Sequence, residues 1–242
     1  MAFDLETLLL LEAIILLAAF IQGAVGFAFG MTSMGLAVFL IDARVASIIV
    51  SPLAATNVAL ALWSVRHAIR LRNVIPMVVG MVIGLPFGLL ILLEGSTTII
   101  RISVAALLIY VGTSRLLSNG RTRRPLHPWW GYVAGLFAGI VGGATNIGGP
   151  PLIAYVAHQP WKPVVFKASL LTCFLVSSGL KTIMLGIEGS LDSQLLASVA
   201  VLLPAVVIGS QIGIAFFNSV NQRLFGHLVS GLIVVLGILL FF

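Results

Sequence analysis

A glycine-punctuated motif interrupts the hydrophobic pattern of this chain twice, each time where an unbroken membrane helix is expected. The first copy runs Gly23-Ala24-Val25-Gly26-Phe27-Ala28-Phe29-Gly30-Met31-Thr32 and the second Gly139-Ile140-Val141-Gly142-Gly143-Ala144-Thr145-Asn146-Ile147-Gly148-Gly149-Pro150-Pro151. In lipid every backbone polar group has to be satisfied, so irregular backbone persists at bilayer depth only where protein or a water-filled cavity surrounds it. A matched pair of interruptions, one in each half of the chain, predicts a ligand path between two repeats, which is the signature of a transporter.

The rest of the composition agrees. The chain is 60% hydrophobic and 8% charged, the profile of a multi-span membrane protein. Its net charge of +6 then marks cytoplasmic loops facing anionic lipid, and nucleic acid is not an expected partner. The single cysteine, Cys173, lies in an apolar stretch, which leaves no internal disulfide and no thiolate metal cluster. The opening Met1-Ala2-Phe3-Asp4-Leu5-Glu6 is acidic where a secretory signal is basic, so the first hydrophobic segment is expected to be retained.

Apolar segments are bounded at Leu5 to Gln22, Met31 to Ile41, Val45 to Val65, Val74 to Leu93, Ile99 to Leu117, Trp130 to Ala144, Gly149 to Ala157, Val164 to Ile187, Gln194 to Phe217 and Leu224 to Phe242. Crossing a hydrocarbon core takes roughly 20 helical residues. The segments beginning at Met31 and Gly149 are too short, and each is read as a half-helix paired with its predecessor in a hairpin or broken helix. Fusing each pair instead gives eight crossings. With ten segments, Arg66, Arg70, Arg72, Arg115, Arg121, Arg123, Arg124, Lys162, Lys167 and Arg223 fall on one side, and Arg44 and Arg101 on the other. Eight spans move Lys162, Lys167 and Arg223 across. The positive-inside rule therefore favours ten, with both termini outside the cytoplasm.

The halves echo one another. Pro76 with Gly80, Gly84 and Phe87 is matched by Pro204 with Gly209, Gly213 and Phe216, and Gly112 by Gly237. An odd number of segments per half inverts the second copy. The expected fold is all-α and polytopic, with inverted repeats over 1–118 and 129–242 joined by an Arg-rich cytoplasmic linker over 119–128.

The chemistry is expected at the motif loops. Gly148 and Gly149 remove side-chain bulk, and Pro150 occupies a first-turn position where its missing N–H costs nothing. The remaining first-turn N–H groups and the helix dipole suit an anion. Thr145 and Asn146 add side-chain donors, as Thr32 and Ser33 do at the end of the first motif and just after it, while Phe27 and Phe29 supply apolar walls or a gate. Gly80, Gly84, Gly209 and Gly213 read as close-packing positions. Two intramembrane ionisable residues are candidates for the pathway or for coupling. Lys181 lies near the outer end of its segment, where snorkelling is the cheaper explanation. Glu12 lies some two turns into the first segment, where a proton-coupling role competes with simple hydration. Gln22, Asn57 and Gln211 either line a polar pathway or bond across helices. His67, His127, His158 and His227 lie at segment ends and are read as interfacial.

The glycine motifs, the Pro-x-x-x-Gly-x-x-x-Gly pattern and the short length resemble the TauE/SafE family of sulfite and organosulfonate exporters, over nearly the whole chain. The resemblance implies export of a small sulfur-containing anion across a bacterial or archaeal inner membrane, with binding regions at Gly26 to Thr32 and Thr145 to Pro150. The first copy lacks the Asn and the paired Pro of the second. No cofactor or metal is expected, the bilayer and a small anion are the expected partners, and pairing into a homodimer is left open. An intramembrane enzyme is disfavoured: Asp4, Asp42 and Asp192 lie at segment ends, no His-Glu-x-x-His motif occurs, and no histidine is deep enough to act as a base. A scaffold subunit and a channel are the other readings.

Overall fold

The computed structural model describes residues 3–116 and 125–216, together with isolated helical positions between 231 and 238. Most of the tenth segment, and positions 119–124 of the linker with Arg121, Arg123 and Arg124, lie outside the described residues, as does Arg223. Among the described residues the chain forms helices α1 (Leu5–Val25), α2 (Phe29–Ala37), α3 (Ala43–Val65), α4 (Leu71–Glu94), α5 (Thr97–Leu116), α6 (Trp129–Thr145), α7 (Gly149–Val156), α8 (Pro163–Ile187) and α9 (Ser193–Phe216). Five of them, α1, α3, α4, α8 and α9, are long and apolar enough to cross a membrane. The protein is a multi-pass, all-helical membrane protein.

Local chemistry sets several boundaries. Asp42 caps α3 by accepting from the backbone N–H groups of Arg44 (2.8 Å) and Val45 (3.4 Å). Pro163 opens α8 at a first-turn position where no donor is lost. The largest departure from the sequence expectation is α2, which starts at Phe29 rather than Met31 and ends at Ala37. The N–H groups of Phe39, Leu40 and Ile41 then bond to Leu36 and Ala37 in a closing turn.

Glycines hold the bundle together. An ideal Cβ built on Gly80, Gly84 or Gly88 of α4 overlaps the backbone carbonyls of Tyr132, Leu136 and Ile140 of α6, and one on Gly135, Gly139 or Gly143 overlaps those of Met77, Met81 and Leu85. Without side chains in between, the two backbones touch, and dispersion accumulates along the seam. The first helix does the same with the ninth: Gly209 and Gly213 meet the carbonyls of Leu16 and Phe20, and Gly23 meets that of Ser210. Gly80, Gly84, Gly209 and Gly213 are thus close-packing residues, as their fourfold spacing predicts. The first helix of each half packs on the fourth helix of the other half.

These contacts also fix direction. In both pairs residue numbers rise together, so α4 runs parallel to α6 and α1 parallel to α9. The Lys181 ammonium of α8 meets Ser47 near the start of α3, and Leu171 clusters with Val58, Ala61 and Leu62 near its end, so α3 and α8 are antiparallel. Tyr155 near the end of α7 returns to Gly131 near the start of α6, making α6–α7 a hairpin. Following the chain through these pairs, α1 and α3 start on the same side. The nine residues of α2, about 13 Å long, must then turn back as well. Both interrupted segments therefore turn back as hairpins within the bundle, as the ten-segment reading expects.

Candidate functional site

The hairpin tips are built alike at their first turn. The first helix ends at Gly26, which has φ 90° and donates its N–H to the carbonyl of Gln22 (2.6 Å). The sixth ends at Asn146, with φ 59° and its N–H on the carbonyl of Gly142 (2.9 Å). Glycine reaches the left-handed region freely, and asparagine is among the few other residues that tolerate it. Ala28, which precedes α2, also has a positive φ, 102°, a conformation that costs an alanine on the order of 1–3 kcal/mol. The two tips touch: Gly30 packs against the carbonyl of Asn146 with no room for a Cβ.

Between the tips lies a cavity of about 60 Å³, space for roughly four or five waters. Phe29, Gly30 and Met31 from the start of α2 line one side, and Gly148 and Gly149 from the start of α7 line the other. Phe174 and Ser178 of α8, Ala54 of α3 and Met81 of α4 add to the wall, and each lies close to the middle of its helix. The cavity therefore sits halfway along the long helices. Two helix N-termini converge on it, each carrying about half a positive charge.

The available donors differ from the sequence expectation. Pro150 and Pro151 both lack an N–H, so the first turn of α7 offers only Gly149 and Leu152, fewer than the motif suggested. The first turn of α2 compensates. Helix geometry leaves the N–H groups of Gly30 and Met31 without acceptors inside α2, while that of Phe29 donates to Gln22 Oε1 (2.9 Å). Gln22 itself is 2% exposed and lines the cavity, and its Nε2 has no hydrogen-bond partner among the described residues.

Lys181 requires a correction. It was expected to snorkel, yet it is 1% exposed. Its ammonium donates to Ser47 Oγ (2.8 Å), Asn146 Oδ1 (3.1 Å) and the Gly142 carbonyl (3.4 Å). One carbonyl from the last turn of α6 and two side chains take the place of interfacial water. Asn146 is correspondingly committed: its Nδ2 donates to the Ser47 carbonyl (2.7 Å), and its Oδ1 also accepts from Ser51 Oγ (3.1 Å). Asn146 lines the cavity but is tied into this network, and is not the free donor its position in the motif suggested.

The other candidates divide. Thr145 is buried and donates to the Val141 carbonyl (2.8 Å) behind the cavity wall. Thr32 is buried, its hydroxyl without a partner among the described residues, and Phe27 packs in the core; neither lines the cavity. Gly26 lies under the aliphatic stem of Lys167, and Pro150 is half-buried beside the wall. Asn57 is fully buried, with both amide atoms lacking partners among the described residues. Glu12 is half-buried and Gln211 exposed on its helix surface, both away from the cavity. Sequence reasoning missed Ser47, Ser51, Met81 and Phe174, while Met31 falls within the expected Gly26 to Thr32 region. The serines carried a legible signal, since Ser47 and Ser51 are spaced one turn apart inside an apolar segment.

The sequence matches the family described as sulfite exporter TauE/SafE over residues 11–240. The chain is also similar to a protein of Cupriavidus necator named "Probable sulfite/organosulfonate exporter TauE", with 30% identity over 214 residues, covering 86% of this chain and 84% of that one. No solved structure matches the chain.

Proposed function

The chain belongs to the sulfite exporter TauE/SafE family, and from that premise we propose that it exports a small sulfur-containing anion, sulfite or a short organosulfonate, from the cytoplasm of a bacterium or archaeon. The observation that carries this reading is the convergence of the α2 and α7 N-termini on one mid-helix cavity. Backbone N–H groups of Gly30, Met31 and Gly149 and the Gln22 amide are donors without competing carboxylates, which suits an anion and not a cation. Phe29 and Phe174 supply the apolar wall.

Orientation follows from charge. Arg66, Arg70, Arg72 and Lys162 lie on the side where α4, α6 and α8 begin, which the positive-inside rule makes cytoplasmic. In a Cys173→Ser background, Ala157→Cys should resist an impermeant maleimide on intact cells and Ser96→Cys should react. Labelling of Ala157→Cys from outside reverses this orientation.

The reciprocal seams α1·α9 and α4·α6 support an inverted repeat, and they change what can move. Alternating access cannot rock one sequence half against the other, because each half is anchored to its opposite by backbone contact. The moving bodies are mixed, one built on α1 with α9 and one on α4 with α6, with the cavity between them.

A potential negative inside favours anion exit by about 2.3 kcal/mol per charge per 100 mV, so export needs no coupled ion. In proteoliposomes without a pH gradient, an imposed potential should drive sulfite toward the positive side, and Glu12→Gln should keep most of that flux. Flux that ignores the potential, follows a pH gradient and collapses in Glu12→Gln would establish proton coupling in place of uniport.

A further inference from the structure

We propose that Lys181 selects for charge in the anion path, acting as a latch that neutral groups hold closed and the substrate anion releases. This rests on the anion-carrying reading above.

All three acceptors of the Lys181 ammonium are neutral: the Ser47 hydroxyl, the Asn146 amide oxygen and the Gly142 carbonyl. Among the described residues no carboxylate pairs with it. The C-terminal end of α6, where Gly142 lies, contributes only a partial negative charge. A buried cation without a counter-ion is costly, and such a group inside a membrane marks a function.

The ammonium is also close to the cavity. Gly142 and Asn146 line it, as do Ser177 and Ser178, one turn before Lys181 on the same face of α8. A single layer of side chain and backbone separates the charge from the space. The lysine stem rotates freely enough for its head to change partners, and an ionised acceptor makes a stronger hydrogen bond to ammonium than a neutral one. An anion in the cavity therefore competes with Ser47, Asn146 and Gly142 for the same cation. When it wins, the tie from α8 to the second hairpin tip is lost. The tie from the tip to α3 survives through Asn146 Nδ2 and Ser51 Oγ. The anion would in this way free α8 from the second hairpin tip while leaving that tip anchored to α3.

Sulfite titration of purified protein, followed by calorimetry alongside thermal unfolding, separates a latch from a structural tether. Lys181→Met should fold and lose at least about tenfold in sulfite affinity. Ser47→Ala keeps the cation but removes one competing acceptor, and should gain about threefold in affinity. A tether predicts no gain. Unchanged affinity in a folded Lys181→Met, or affinity in Ser47→Ala at or below the wild-type value, overturns the latch. If Lys181→Met does not fold, Ser47→Ala decides alone. Wild-type protein that binds neither sulfite, C2 and C3 sulfonates nor other small anions sinks the anion-carrying reading and the latch with it. Wild-type binding with indifferent variants sinks only the latch.

Discussion

Replacing Gly149 by leucine should yield a folded protein that carries no anion. Gly149 begins α7 without a positive φ, and a Cβ there would make ordinary contacts, 3.5 Å from Met31 Cε and from Phe174 Cζ. Alanine is therefore tolerated. The further carbons of leucine must enter the cavity, whose 60 Å³ holds only a handful of water-sized spheres. Sulfite flux in proteoliposomes should fall by at least about a hundredfold, equivalent to roughly 2.7 kcal/mol, with Gly149→Ala near wild type. A folded Gly149→Leu that transports normally would place the substrate elsewhere.

The largest effect on stability is expected at Gly84. Its missing Cβ lets the α4 backbone rest on the Leu136 carbonyl of α6, and a side chain there can be accommodated only by separating two helices. Overpacking a core costs about 1–3 kcal/mol when side chains can yield; here the obstacle is backbone, so Gly84→Leu should exceed that range. Unfolding in mild detergent, or loss of the monodisperse species during purification, would register it. Gly179 on α8 is the control, since among the described residues nothing lies within 4 Å of its Cβ position, and Gly179→Ala should be neutral or slightly stabilising. Comparable melting temperatures for Gly84→Leu and Gly179→Ala would contradict the account of the seam.

What the sequence disclosed, and what it withheld, follows from the range over which each signal acts. The helix interruptions were legible because glycine, proline and segment length act locally, and both fall where the motifs put them. The glycine seams were legible as seams, but spacing alone names no partner, and only the structure pairs Gly84 with Leu136 and Gly213 with Phe20. Lys181 was misjudged for the same reason. Its distance from the end of α8 allows snorkelling, and nothing nearby in sequence says that a hairpin tip from α6 will close over it. Asn146 was half-legible: asparagine after Gly-Gly-Ala-Thr is a good left-handed cap, a reading that competes with its use as a substrate donor. The loss of donors at Pro150 and Pro151 was in plain view and is a matter of counting.

The seam between α1 and α9 also sets a schedule for making the protein. Gly23 meets Ser210, and roughly 190 residues separate them, some 10–40 s of synthesis at 5–20 residues per second. Throughout that interval α1 presents to lipid or to the insertion machinery a face shaped for a helix that does not yet exist. The seam between α4 and α6 forms across a far shorter stretch and can close early. The bundle must therefore be assembled from the middle outward, with its first helix among the last to be seated.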